Sequence, residues 1–115
     1  MHSINYNNKK FILRSNSQNG SSSPSTIFNY IQKDNIVTST YSGGKIIHGQ
    51  LIGLVDGNGV IIMRYQQIEK GGVIKTGKCV STPEVLPDGR IRLYESWEWT
   101  SGDCTKGKSV IEEIA

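Results

Sequence analysis

From Phe11 onward the chain is cut at short, regular intervals by clusters of turn-forming residues, and this spacing limits its possible folds more than any other feature. The clusters are Asn19-Gly20-Ser21-Ser22-Ser23-Pro24, Lys33-Asp34-Asn35, Ser42-Gly43-Gly44, Asp56-Gly57-Asn58-Gly59, Lys70-Gly71-Gly72, Pro87-Asp88-Gly89 and Ser101-Gly102-Asp103-Cys104. Most set Gly beside Asp, Asn or Gly, the residues that reach the positive φ angles of tight hairpins. Between them lie eight β-rich segments, 5–14, 25–33, 35–41, 45–56, 59–69, 73–82, 90–100 and 107–114. Parallel neighbours would need a crossover of about a dozen residues, and no connection has that length. The expectation is therefore all-β, an antiparallel meander.

A meander of eight strands either stays open, with two edges free to aggregate, or closes on itself. Closure into a single antiparallel up-and-down β-barrel of about eight strands is the fold class expected here. Such a barrel is either filled by side chains or holds one small ligand. A five-stranded nucleic-acid-binding barrel and a two-sheet sandwich are the alternatives. Thr26 to Lys33 is the one region that a helix would also suit, through the spacing of Ile27, Tyr30 and Ile31. Strand is preferred, because Phe28, Tyr30 and Ile31 favour strands and the Asp34-Asn35 turn leads straight into Ile36-Val37-Thr38.

The 115 residues suffice for one core, so a single domain over 1–115 is expected, with residues 1–4 frayed. An apolar content of 36% suits a thin wall in which half of each strand faces water. The excess of 13 basic over 10 acidic residues gives a net charge of only +3, scattered along the chain, which argues against a nucleic-acid partner. The N-terminus lacks a basic start followed by an apolar stretch, and the apolar runs are too short to span a bilayer. Cytoplasmic location, no membrane partner and free thiols at Cys79 and Cys104 are the corresponding expectations. The two cysteines, with no histidine nearby, make a poor zinc site.

Alternation along a strand decides which side chains share the interior. In the seventh segment one parity carries Ile91, Leu93, Glu95, Trp97 and Trp99, the other Arg90, Arg92, Tyr94, Ser96 and Glu98, and the first is the inner set. Glu95 is thereby placed among apolar neighbours, where a carboxylate needs a donor or keeps its proton. It is expected either to be a structural carboxylate, paired with an arginine or tyrosine across the barrel, or to be a ligand-binding acid. Trp97 and Trp99 serve as a stacking wall or as core filler. In the fifth segment Met63, Tyr65 and Gln67 are expected inward and Arg64 outward. Gly49 and Gly53 share a parity, which marks a bend, or an interior crowded by opposing side chains; bending is preferred. Tyr41 is expected at a barrel rim, and His48 on the outside. No phosphate loop, His-Glu-x-x-His or Gly-x-Ser-x-Gly sequence is present.

Tyr41-Ser42-Gly43-Gly44-Lys45-Ile46, Gly49-Gln50-Leu51-Ile52-Gly53-Leu54-Val55, Met63-Arg64-Tyr65 and Glu95-Ser96-Trp97-Glu98-Trp99-Thr100-Ser101-Gly102-Asp103 carry a family resemblance. The chain resembles small bacterial β-barrel proteins, avidin-like or lipocalin-like in shape, whose members often bear the label N-acetylglutamate synthase. That resemblance implies the barrel, and through the label an acetyltransferase activity. The sequence disagrees with the label: such a synthase needs an Arg/Gln-x-x-Gly-x-Gly/Ala loop opening a helix on a mixed α/β fold, and neither is present. Biotin binding does not follow from shape.

Three functions follow as expectations. The first is a noncatalytic barrel that binds a small molecule inside through Glu95, Trp97, Trp99, Tyr65, Gln67 and Tyr41, with no cofactor and no metal. The second is an enzyme, an acetyltransferase or barrel isomerase, with Glu95 as acid or base. The third is a structural module or homodimer that pairs through exposed Ile52, Leu54 or Ile62.

Overall fold

A computed structural model describes residues 4–17 and 20–114 of the chain. Eight strands follow one another: β1 (Lys9–Asn16), β2 (Ile27–Lys33), β3 (Ile36–Gly43), β4 (Ile46–Val55), β5 (Ile61–Glu69), β6 (Val73–Val85), β7 (Ile91–Trp99) and β8 (Lys106–Glu113). Each pairs antiparallel with the next, and β8 pairs with β1, so the sheet closes into the expected barrel. The Thr26 to Lys33 region is strand β2.

The turn clusters form the hairpins in the way their residues predict. Gly71 and Gly72 both take positive φ between β5 and β6, a path that costs other residues strain. The Asp56 carboxylate accepts the N–H groups of Asn58 and Val60 and so fixes the β4–β5 turn. Asn19 of the first cluster lies outside the described residues.

The N-terminal segment departs from expectation. Strand β1 starts at Lys9, because Asn8 turns the chain at φ 60 and residues before it fold under the barrel. There Tyr6 is wholly buried, and its hydroxyl donates to the Gly59 carbonyl. Burial of so large a ring outweighs a few more ladder hydrogen bonds. Of the residues expected to fray, 1–3 lie outside the described residues and Ile4 packs against the core.

Tyr6, Phe11, Tyr30, Val37, Ile61, Leu93 and Ile111 fill this end and are fully buried. Their rings interlock, with the Phe11 and Tyr30 centroids 4.7 Å apart and Tyr6 6.1 Å from Tyr30. We call it the closed end; the β1–β2, β3–β4, β5–β6 and β7–β8 connections surround the opposite, open end. On the outside, Glu112 accepts from Arg90 and Arg92 and lies 3.6 Å from Arg14, tying down two arginines that sequence left as scattered charge.

The inner glycines serve crowding rather than bending. The Tyr41 ring lies over Gly49 so closely that a β-carbon there would collide with it. Tyr65 covers Gly77 and Trp97 covers Gly107 in the same way. Each bulky ring thus lies against a neighbouring strand where no side chain opposes it.

Candidate functional site

The open end encloses a cavity of about 50 Å³, room for roughly three to five water molecules. Glu95, Trp97, Trp99, Tyr65, Gln67 and Tyr41 all line it, together with Leu51, Met63 and Cys79. As parity demands, Met63 and Gln67 are buried inward, while Arg64 and His48 are exposed. Tyr41 departs from its expected rim position. Strand β3 continues to Gly43, so Tyr41 stands inside the wall, buried, with Phe28 at 4.9 Å.

The site is held by one row of residues across four strands. Ser81 pairs with Glu95, Glu95 with Ser109, and Ser109 with Asn16. Neither an arginine nor a tyrosine partners Glu95: the Ser109 hydroxyl donates to Oε1 at 2.8 Å and the Ser81 hydroxyl to Oε2 at 3.2 Å. Small hydroxyls reach the carboxylate from the adjoining strands, so no long side chain need cross the interior. Cys79 Sγ lies 3.7 Å from Ser81 Oγ; with the Ser81 proton directed to Glu95, the thiol is the donor in that pair. Burial pushes the Glu95 carboxyl up to about 7, and the two serine hydroxyls only partly offset this. Its remaining surface lines the cavity.

A second chain of contacts runs to the mouth. The Tyr41 hydroxyl donates to Gln67 Oε1 at 3.0 Å, and Gln67 Nε2 donates to Glu69 Oε2 at 2.7 Å. Lys75 Nζ stands 3.6 Å from Glu69 Oε1, donates to Ser21 Oγ at 3.3 Å, and lies 4.8 Å above the Trp99 ring. Burial alone would raise the Glu69 carboxyl, but hydrogen bonds from Ser21 and Gln67 and the Lys75 charge hold it below its ordinary value. Glu69 is therefore a carboxylate at neutral pH, whereas Glu95 sits near its midpoint.

Both tryptophans form cavity wall. Trp99 meets Trp97 and Tyr65 with centroids 5.6 Å away in each case, the second pair edge to face. Asn16 enters the site through a bulge between Leu13 and Ser15, which reverses the parity that would aim it outward. Its Nδ2 donates to the Ser22 carbonyl, while its buried Oδ1 has no partner.

Sequence reasoning missed Asn16, Ser81, Ser109, Glu69 and Lys75. A signal for the two serines existed: they stand seven residues before Asp88 and seven after Gly102, as Glu95 stands seven after and seven before those turn centres. What the arrangement offers a ligand is one poised carboxyl and aromatic walls in a space of a few heavy atoms. A family model described as avidin-like protein matches residues 4–114. No curated protein and no solved structure matches the chain.

Proposed function

The chain belongs to the avidin-like family, and on that footing we propose that it binds one small molecule inside the open end of its barrel, without catalysing a reaction. The observation that carries this reading is the cavity itself, lined at once by Glu95, Gln67, Tyr41 and the rings of Tyr65, Trp97 and Trp99. A core evolved only for stability would close such a space, since voids forfeit contact energy. The aromatic wall supplies stacking area and the carboxyl supplies orientation.

A screen of small neutral, cationic and anionic fragments by NMR, following the indole N–H signals of Trp97 and Trp99, tests the reading. At least one class is expected to move both signals, and Leu51→Trp, which fills the space from the opposite wall, to abolish the response. Silence from every class, with only the bare chain mass in protein purified from its own cells, would end it.

The outer wall supports a second reading, association of copies. Ile36, Leu54, Ile62 and Val80 face one another across β3 to β6 as an exposed apolar row, extended by Ile52. Light scattering is expected to give a multiple of the chain mass that Leu54→Glu reduces to one; a monomer at every concentration would remove this reading.

A further inference from the structure

The hydrogen bonds around the cavity are unevenly used. Tyr41 gives its proton to Gln67, Gln67 donates to Glu69, Ser81 and Ser109 both donate to Glu95, and Asn16 donates to the Ser22 carbonyl. What stays open among the cavity-lining side chains is acceptor capacity, while behind them the buried Tyr30 hydroxyl also has no partner. Glu95 takes two hydroxyl donors where an ionised carboxylate offers about four lone-pair positions. Asn16 Oδ1 is buried with no partner at all. The two lie in one row, each beside Ser109 in the strand register. Among the described residues no lysine or arginine lines the cavity, and the Lys75 ammonium is held at the mouth by Glu69, Ser21 and the face of Trp99.

A space lined by acceptors and aromatic faces excludes anions and leaves a neutral acceptor unpaired. It suits a ligand that brings the donors and the positive charge. We propose that the cavity takes a compact organic cation with N–H donors, an amidinium or small primary ammonium, seated on Glu95 and Asn16 Oδ1 between Trp97, Trp99 and Tyr65. The inference rests on the interior-binding reading above and names its ligand class.

The charge of Glu95 would then set affinity. The titratable groups facing it are Tyr30 from β2, Tyr41 from β3, Tyr65 from β5 and Cys79 from β6; burial, the largest cause, and the Glu95 charge push all four up, so they stay neutral near pH 7. Leu51 of β4, Asn16 of β1 and Ser109 of β8 do not titrate. Glu69 and Lys75 neutralise each other at the mouth. A cation is therefore bound above about pH 7, where Glu95 is ionised, and released as acid protonates it.

Acetamidinium and acetamide separate charge from shape, being nearly isosteric, and acetate supplies the opposite charge. In NMR titrations of the unaltered chain at about pH 8.5, acetamidinium is expected to move the Trp97 and Trp99 indole signals with affinity about tenfold above acetamide. That affinity should fall about tenfold or more at about pH 5.5, where few Glu95 carboxyls are ionised. Glu95→Gln should erase the preference and its pH dependence, and the pH comparison stands without that variant if it folds poorly. Equal binding of acetamide, or preference for acetate, overturns the cation inference and leaves interior binding standing. Silence from all three probes overturns the cation inference, and interior binding falls with it only if the wider fragment screen is silent too.

Discussion

At the closed end of the barrel, Tyr6, Phe11 and Tyr30 fill the interior against Ile61, Leu93 and Ile111; at the open end, Tyr41, Tyr65 and Trp97 lie over glycines on neighbouring strands and leave the middle hollow. The open end carries more rings, Phe28, Tyr41, Tyr65, Trp97 and Trp99 against Tyr6, Phe11 and Tyr30, yet it is the hollow one. What differs is the residue opposite each ring. A glycine lets the ring lie flat on the wall, whereas a wall residue with a side chain forces rings together at the centre. The placement of Gly49, Gly77 and Gly107 thus accounts for a cavity at one end, and polar residues collect there because water or a ligand can satisfy them.

The strongest way to break this comparison is one substitution made at both ends. Leu93→Ala opens a dry void in packed surroundings and is expected to cost about 3–5 kcal/mol in urea unfolding, transfer and cavity terms together. Leu51→Ala only enlarges a space already present, and is expected to cost about 2 kcal/mol, the transfer term alone. Equal losses would mean that the open end is as tightly packed as the closed one.

Next in size is the price of ionising Glu95. Its carboxyl is raised from 4.5 to about 7, so the folded chain holds that proton more tightly than the unfolded chain does. The contribution of Glu95 to stability should be greatest below about pH 4.5, fall as pH rises to about 7 and level off above. The shift sets an upper bound of about 3 kcal/mol. Glu95→Gln, which imitates the protonated form, is expected to melt higher than the parent at alkaline pH and equally at acid pH. A parent-to-variant difference that does not change with pH would show that Glu95 is not in a desolvated site.

How much of this contrast was legible beforehand depended on whether it lay within a strand or beyond one. Alternation alone set Glu95, Trp97 and Trp99 inward, because β7 runs unbroken between two tight turns. The same turns fixed the serines opposite Glu95, but only when both turn centres are used together. Asn16 was illegible, since a bulge reverses its parity and nothing in Leu13-Arg14-Ser15 announces one. The Tyr6 plug was hidden for a related reason: Asn8 adopts a positive φ in a segment whose composition suits strand equally well. The depth of Tyr41 turned on where β3 ends, the kind of boundary that composition locates poorly.

A ring over a glycine offers a smaller and more local test. Gly77→Ala inserts a β-carbon where the Tyr65 ring lies, so the ring must move toward the cavity. The expected cost is about 1–3 kcal/mol. The Tyr65 to Trp99 edge-to-face contact should weaken, seen as a lost NOE between the two rings. Gly71→Ala, in open space, carries only the strain of its positive φ and should leave that NOE intact.

The smallest effect belongs to the mouth, where Glu69 titrates with the sign opposite to Glu95. Its carboxyl is held below the ordinary value, so its contribution is present above about pH 4.5 and is lost as acid falls through the lowered value. In Glu69→Gln one carbonyl oxygen remains to accept from Gln67 and Ser21, and Lys75 keeps Ser21 and the Trp99 face, so the main loss is the ion pair. Because Lys75 is partly solvated, that loss should stay near or below about 1 kcal/mol at neutral pH and vanish in acid. A double variant with Glu95→Gln should show the two effects adding: one carboxyl is tied to the mouth, the other to the serine row, and they share no partner. Strong non-additivity would instead reveal the two carboxyls sensing each other's charge through the cavity, and the open end would then act as a single electrostatic unit.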